Sequence, residues 1–506
     1  MKKYSKILIL FIVVFLLSCG QTASPRSSAP LLSSCTSDSA QQAQTQVSRL
    51  FEDIRDDEAM LQFFFTRMPK GGDLHNHLSG SVYAETFFDI ALQDGLWLNT
   101  DTYVLNSESV CNSCVNLYPG MENEHNLRVQ SIDHWSIRNY DSYNRDIPQD
   151  EFFFGTWGYF GAALSRDLSE FLIELRIRAQ DENVQYLEVM MTSPWVDNDF
   201  MARFSAENDL LIALIAEQDL DGFADVLASL FREWESDADL QSGIADYINL
   251  IDEADRDAAL FAPEVTSYYQ AYASRNNANP VRVFAQLYMG FKSVVSYEKL
   301  VGVNIVQPEN GDYSLRDYWG HMQMFAFLNE KYEGVSTSLH AGELRLGLVP
   351  PEDLKNHIYD AVVSAEADRI GHGVSIAFER DAPELLKRMA ENEVLVEINL
   401  TSNEFILDVI DSEHPLMLYH RSGVPLVLAT DDAGILRTNL TQQFVIAAMR
   451  YPDLTYGDFR TFVLNSISYS FLPDDIKAEE IEKLQQQLEF FEEEMAAVLS
   501  SFNDLA

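Results

Sequence analysis

Positive charge is what this chain lacks. Its 506 residues carry 35 Lys+Arg against 79 Asp+Glu, a formal net charge of −44. A surface of that sign repels phosphate backbones, which excludes nucleic acid as a general partner. The acidic residues are spread through helical segments and form no single block, so they read as a heavily solvated surface and not as an acidic tail. Cysteine is scarce, with only 4 residues: Cys19, Cys35, Cys111 and Cys114. Cys111 and Cys114 form a C-x-x-C in "VCNSCVN", but a zinc knuckle needs a second pair, which Cys35 alone does not supply. No repeat of fixed period is present. Long apolar runs are missing too, because the stretch from Ile7 to Leu17 is too short for a comfortable membrane span.

That short run has a different reading. Lys2, Lys3 and Lys6 precede it, and Leu16-Leu17-Ser18-Cys19 closes it, a charged n-region and an apolar h-region ending in a sequence that resembles a bacterial lipobox. Residues 1–19 are therefore expected to be a lipoprotein signal with Cys19 as the lipidated residue. Residues 20–45, rich in Ser, Gln, Ala and Pro, are expected to be a flexible tether. The mature protein is expected to be exported and held on the cell envelope by that lipid alone. An oxidising compartment permits a local disulfide between Cys111 and Cys114. A redox role fits less well, since the flanks read as a loop.

From Gln42 to Arg67 the pattern predicts an amphipathic helix stopping at Pro69. Eight strand-type runs are then legible: 71–77, 184–191, 281–289, 300–306, 335–343, 369–373, 394–401 and 424–432. Most alternate with helical stretches, which argues for parallel βα units and a (β/α)8 barrel over residues 46–506. Large insertions are expected after strands 1 and 2, at about 100–165 and 195–278. The third and fourth runs are uncomfortably close for a crossover. The tail "DDIKAEEIEKLQQQLEFFEEEMAAVLSSF" reads as a long helix packed on the barrel or on a second copy of the chain, a homodimer in the latter case.

In such a barrel, chemistry sits where the strands end. The first strand carries "GGDLHNHLSGS", whose His75 and His77 point to one face. The fifth ends in His340-Ala341-Gly342-Glu343, the sixth in His372 and the eighth in Asp431-Asp432. Singly, each has a structural explanation, such as a satisfied core histidine or a strand-ending turn aspartate. Together, three histidines and an aspartate suit Zn²⁺ with one position left open.

"MPKGGDLHNHLSGS", "SLHAGE", "DRIGHG", "LTSN" and "ATDDAG" occur in the order and spacing of the adenosine deaminase family of metal-dependent amidohydrolases, and the resemblance runs from Met68 to Gly434. "DENVQYLEVM" and "GVNIVQPENGDYSLRDY" are most similar to its secreted, growth-factor-related branch, which also carries a cysteine-bearing insertion after strand 1. The resemblance implies that His75, His77, His340 and Asp431 bind one zinc per chain. It implies that Glu343 moves a proton to the purine ring, that His372 orients and deprotonates the attacking water, and that Asp432 accepts a hydrogen bond from the substrate. The expected substrate is a purine nucleoside, adenosine or 2′-deoxyadenosine. Two departures concern recognition. Ser79 stands where the family usually has an aspartate for the sugar hydroxyl, and Gln307 stands where it has a glycine. The same chemistry on another aminopurine therefore stays open, as does an inactive nucleoside-binding lipoprotein. The H-x-E with P-C-x-x-C of the other zinc deaminase class is absent.

Overall fold

The computed structural model describes residues 37–165 and 168–503, so the expectations for Cys19, the signal and most of the tether lie outside the described residues. The eight strands of the barrel are β1 (Gly71–His77), β2 (Val184–Thr192), β3 (Thr266–Ser274), β4 (Leu300–Val306), β5 (Ser336–Ala341), β6 (Arg369–His372), β7 (Leu395–Ile398) and β8 (Leu426–Leu428). They pair in parallel in that order. A parallel bridge between Asn76 and Asp431 brings the two edges together: Asp431 N donates to His75 O at 2.8 Å and His77 N to Asp431 O at 3.3 Å. The expected (β/α)8 barrel is the observed one.

One expected strand is wrong. Residues 281–289 lie in the helix Pro280–Val294, and the third strand is instead "TSYYQAYAS", inside the segment expected to be the second insertion. Every residue from Pro280 to Phe291 in that helix is buried. A helix apolar on all sides loses the 3.6-residue period and looks like a strand. The true strand is hidden because inward side chains are polar: Gln270 donates to Glu188 inside the barrel and Ser274 is buried at the cavity. The correction also removes the short third crossover, since β3 now precedes a full helix.

The helix expected over 42–67 is broken into Ser37–Ile54 and Glu58–Arg67, with the Asp57 carboxylate accepting the Met60 amide at 3.0 Å as an N-cap. Between β1 and β2 lie a three-stranded antiparallel sheet (Trp97–Asn99, Leu105–Asn106, Cys114–Asn116) and several short helices. Cys111 and Cys114 are disulfide-bonded at the edge of that sheet. Between β2 and β3, four helices run from Asn198 to Ala259. The final helix, Asp474–Asn503, buries Leu484, Leu488, Phe491 and Met495. Tyr456 donates to its Glu492 at 2.8 Å and Gln185 to the Glu480 carbonyl at 2.9 Å, so its apolar stripe is covered by its own barrel. Among the described residues no helix is long and apolar enough to cross a membrane.

Candidate active site

The C-terminal ends of the strands open into a cavity of about 450 Å³. Its floor is His77, His340, Glu343, His372, Asp431 and Asp432. The strands end there in unusual backbone: Gln307, Gly342, His372 and Asp431 have φ of 88°, 74°, 69° and 60°. Non-glycine residues in the left-handed region cost energy and collect where a site imposes their geometry. Two glycines admit the side chains. A Cβ on Gly371 would lie 2.7 Å from the His75 ring, and one on Gly80 would overlap the Asp432 carboxylate at 1.5 Å.

His75, His77, His340 and Asp431 bring one ligand atom each to within 4.8 Å of one another, all buried. His77 Nε2 is 3.2 Å from His340 Nε2 and 3.3 Å from Asp431 Oδ1, and His75 Nε2 is 3.6 Å from the same oxygen. The outward nitrogens are held. His75 Nδ1 meets Glu397 Oε2 at 2.7 Å, and His340 Nδ1 meets Asn304 Oδ1 at 3.0 Å. That Asn304 oxygen also accepts the Ile305 amide at 2.7 Å, which marks it as an acceptor and puts the His340 proton on Nδ1. The Nε2 lone pair of His340 therefore faces the cluster. His75 Nε2 is buried with no hydrogen-bond partner. Three imidazole nitrogens and one carboxylate, braced from behind, fit a borderline-soft divalent ion such as zinc.

Charge within the barrel supports the same arrangement. Burial would push Glu397 up, but Arg369, 2.7 Å away, and His75 hold it below the ordinary carboxylate range. Burial would raise Asp431 too, yet the neighbouring His75 and His77 rings hold it well below its usual value. Glu343 and Asp432 go the other way. Burial and the negative Asp431 push both well above the carboxylate range, so each can hold a proton near neutral pH. Glu343 is aimed by Glu309, whose carboxylate accepts the Gly342 and Glu343 amides at 3.0 and 2.8 Å and is itself bound by His357 Nδ1 at 2.6 Å.

The rest of the cavity is neutral. Ser79 Oγ accepts Trp157 Nε1 at 3.0 Å, and Trp157, Phe153, Phe154 and Leu164 from the insertion after β1 line one side. Gln307 lines the cavity, yet its side chain turns back and accepts the Asn276 amide at 3.2 Å. The residues singled out in the sequence, from His75 to Asp432, thus converge on one place. Sequence reasoning missed Glu397, Asn304, Glu309, Asn403 and His414, the groups that hold those residues in position. A lone glutamate inside the apolar run "VLVEINL" was the available signal, because a buried carboxylate needs a partner.

Residues 244–487 match the sequence model of the family described as adenosine deaminase. Similar curated proteins include an adenosine deaminase from Plasmodium falciparum, 31% identical over 31% of this chain and 41% of that protein. Another is an adenosine deaminase from Clostridium perfringens, 30% identical over 28% and 40%. The chain thus spans about two fifths of the length of these relatives. Among solved structures, an Arabidopsis protein complexed with IMP superposes with a TM-score of 0.54 at 16% identity, covering 84% of this chain and 98% of that one. A zinc-bound amidohydrolase from Burkholderia ambifaria gives 0.52 at 18%, covering 86% and 94%. These likenesses establish the barrel, and the matched segment runs from the helix before β3 through β8 and carries His340, Glu343, His372, Asp431 and Asp432. Over residues 244–487 the chain is thus similar to the adenosine deaminase family.

Proposed function

We propose that this protein is a zinc-dependent hydrolase that deaminates an uncharged, adenosine-like nucleoside to the oxo-purine and ammonia. The observation that carries the reading is the convergence of His75, His77, His340 and Asp431 with Glu343, His372 and Asp432 in one buried cavity. Zinc held by the first four supplies Lewis acidity, lowering the pKa of a water molecule to roughly 7. Glu343, protonated through burial, hands its proton to the ring nitrogen as the water oxygen adds to the amine-bearing carbon. Asp432, whose Oδ1 is buried and unpartnered, accepts a hydrogen bond from the purine. His372 orients the attacking oxygen with Nε2, which is also buried and unpartnered. The Glu343 carboxylate so formed then takes the proton of the added hydroxyl and passes it to the amine; as the C=O forms the C–N bond breaks and ammonia leaves.

The cavity supports a neutral substrate. None of its lining residues is Lys or Arg, so a phosphate dianion would enter uncompensated. The Arabidopsis relative in fold was solved with IMP, a nucleotide; this chain is read as a nucleoside enzyme. A second reading, the same chemistry on another aminopurine, is favoured by Ser79, whose hydroxyl is engaged by Trp157. Loss of adenosine absorbance by zinc-loaded protein, beside AMP, 2′-deoxyadenosine and N6-substituted adenosines, tests both. Turnover of adenosine but not AMP is expected, and turnover of AMP alone refutes the neutral-substrate reading. Export and anchoring through Cys19 would place this reaction at the cell envelope, where it could feed purine salvage.

A further inference from the structure

We propose that Asn403 and His414 form a hydrogen-bond relay that fixes the proton of His372 on Nε2, making that histidine a donor toward the attacking oxygen. The use made of that donor rests on the deaminase reading, whereas the relay is a property of the fold. It starts at a group whose direction is unambiguous. The backbone amide of Leu416, at the start of the helix Leu416–Ser422, donates to His414 Nδ1 at 3.2 Å. Nδ1 therefore carries no proton, and the neutral imidazole bears its hydrogen on Nε2. Burial, with the Arg450 charge acting in the same direction, pushes His414 down to about 3, so the ring stays neutral.

His414 Nε2 then donates to Asn403 Oδ1 at 3.0 Å. That contact settles which end of the amide is oxygen, a choice geometry alone rarely makes. The other end is the NH2, and it lies 2.9 Å from His372 Nδ1. A second amide, Asn399 Nδ2, faces the same nitrogen at 3.5 Å. The nearby acceptor Glu343 Oε1 is 3.7 Å away, too far to take a proton from Nδ1. His372 Nδ1 accepts, so its proton sits on Nε2.

That nitrogen has no hydrogen-bond partner and faces the cavity floor, 3.9 Å from Asp431 Oδ2. The segment after β7 places the relay. Asn403 lies one turn into the helix Leu400–Leu407, fully buried, and His414 comes just after the short turn Asp411–Glu413. The expectation that His372 deprotonates the water is revised accordingly: with Nε2 protonated, His372 orients the attacking oxygen by donating to it. Asn403 and His414 are positioning residues.

The test is the ring-nitrogen spectrum of the zinc-loaded full chain labelled with 15N-histidine, His372 being assigned by its disappearance in His372→Gln. The relay requires a pyridine-like Nδ1 and a pyrrole-like Nε2. Asn403→Asp, nearly isosteric, presents acceptors to both histidines and should move the His372 proton to Nδ1. Losing a preorganised donor of this kind lowers kcat by about 10²-fold or more, and KM should stay within about twofold because the ground state is untouched. His414→Leu should show a similar kcat loss, and His414→Gln, which keeps an N–H for Asn403 Oδ1, should recover much of it. A pyrrole-like Nδ1 in the wild type, or wild-type kcat in Asn403→Asp, overturns the relay. The expected spectrum without turnover of any aminopurine would leave the relay standing and overturn the deaminase reading.

Discussion

Glu309→Gln is the substitution on which the site's supporting charges can be measured. Glu309 is 1% exposed and accepts from two backbone amides and from His357, with Arg275 3.7 Å away. Burial alone would raise its pKa, but Arg275 and His357 bring it down to about 2. Against an ordinary value of 4.5, that shift corresponds to about 3 kcal/mol of folding stability. Between these two values the unfolded chain binds the proton and the folded chain does not, so the contribution is full above about 4.5 and disappears as pH falls toward about 2. Glu309→Gln should therefore unfold at lower urea than the wild type at pH 7, by roughly 3 kcal/mol, with the difference shrinking as pH falls below about 4.5. It should also lower kcat, because Gln can accept with only one oxygen where the carboxylate held both the Gly342 and Glu343 amides. Equal unfolding curves at pH 7, or a difference that does not change with pH, would refute the assignment of a charged, stabilising Glu309.

Removing the metal with a chelator should abolish turnover and added zinc should restore it, and metal analysis of His340→Ala should show less than one zinc per chain. Trp157→Ala removes one wall of the cavity and the donor to Ser79; KM for adenosine should rise about tenfold, about 1.4 kcal/mol, with kcat nearly kept, and an unchanged KM would show that this wall does not touch substrate. Cys19→Ala should lose incorporation of labelled palmitate and leave the membrane fraction, and labelling that persists would sink Cys19 as the anchor.

The strand ends are legible in the sequence because their chemistry contrasts with their surroundings. His75 and His77 alternate in "GGDLHNHL", His372 ends the short "RIGH", Asp431 closes "VPLVLAT", and a barrel puts such strand ends at one face. The exchange of β3 with the helix after it has the opposite cause. Here the polar residues Gln270 and Ser274 are buried inside the barrel, and an apolar helix is buried on every side, so neither segment shows its usual period. Asn403 stands in a recognisable motif, "LTSN", yet nothing in the sequence says that His414, eleven residues on, reaches it. Glu309 and Asn304 are invisible for the same reason: their roles depend on partners brought in by other strands.

The bridge between Asn76 and Asp431 has a consequence for assembly. Two of the ligand-type residues sit on the first strand to be synthesised, and the fourth lies just past the last, 356 residues later than His75 counted through Asp431. The same pairing that zips the cylinder shut completes the donor set. If a divalent ion occupies that set, its affinity and barrel closure would be one equilibrium: an ion preferring the four donors would draw the last strand into place. A nascent chain has no high-affinity seat for the ion until its final strand has emerged. Metal acquisition would then be a late checkpoint on the making of the barrel.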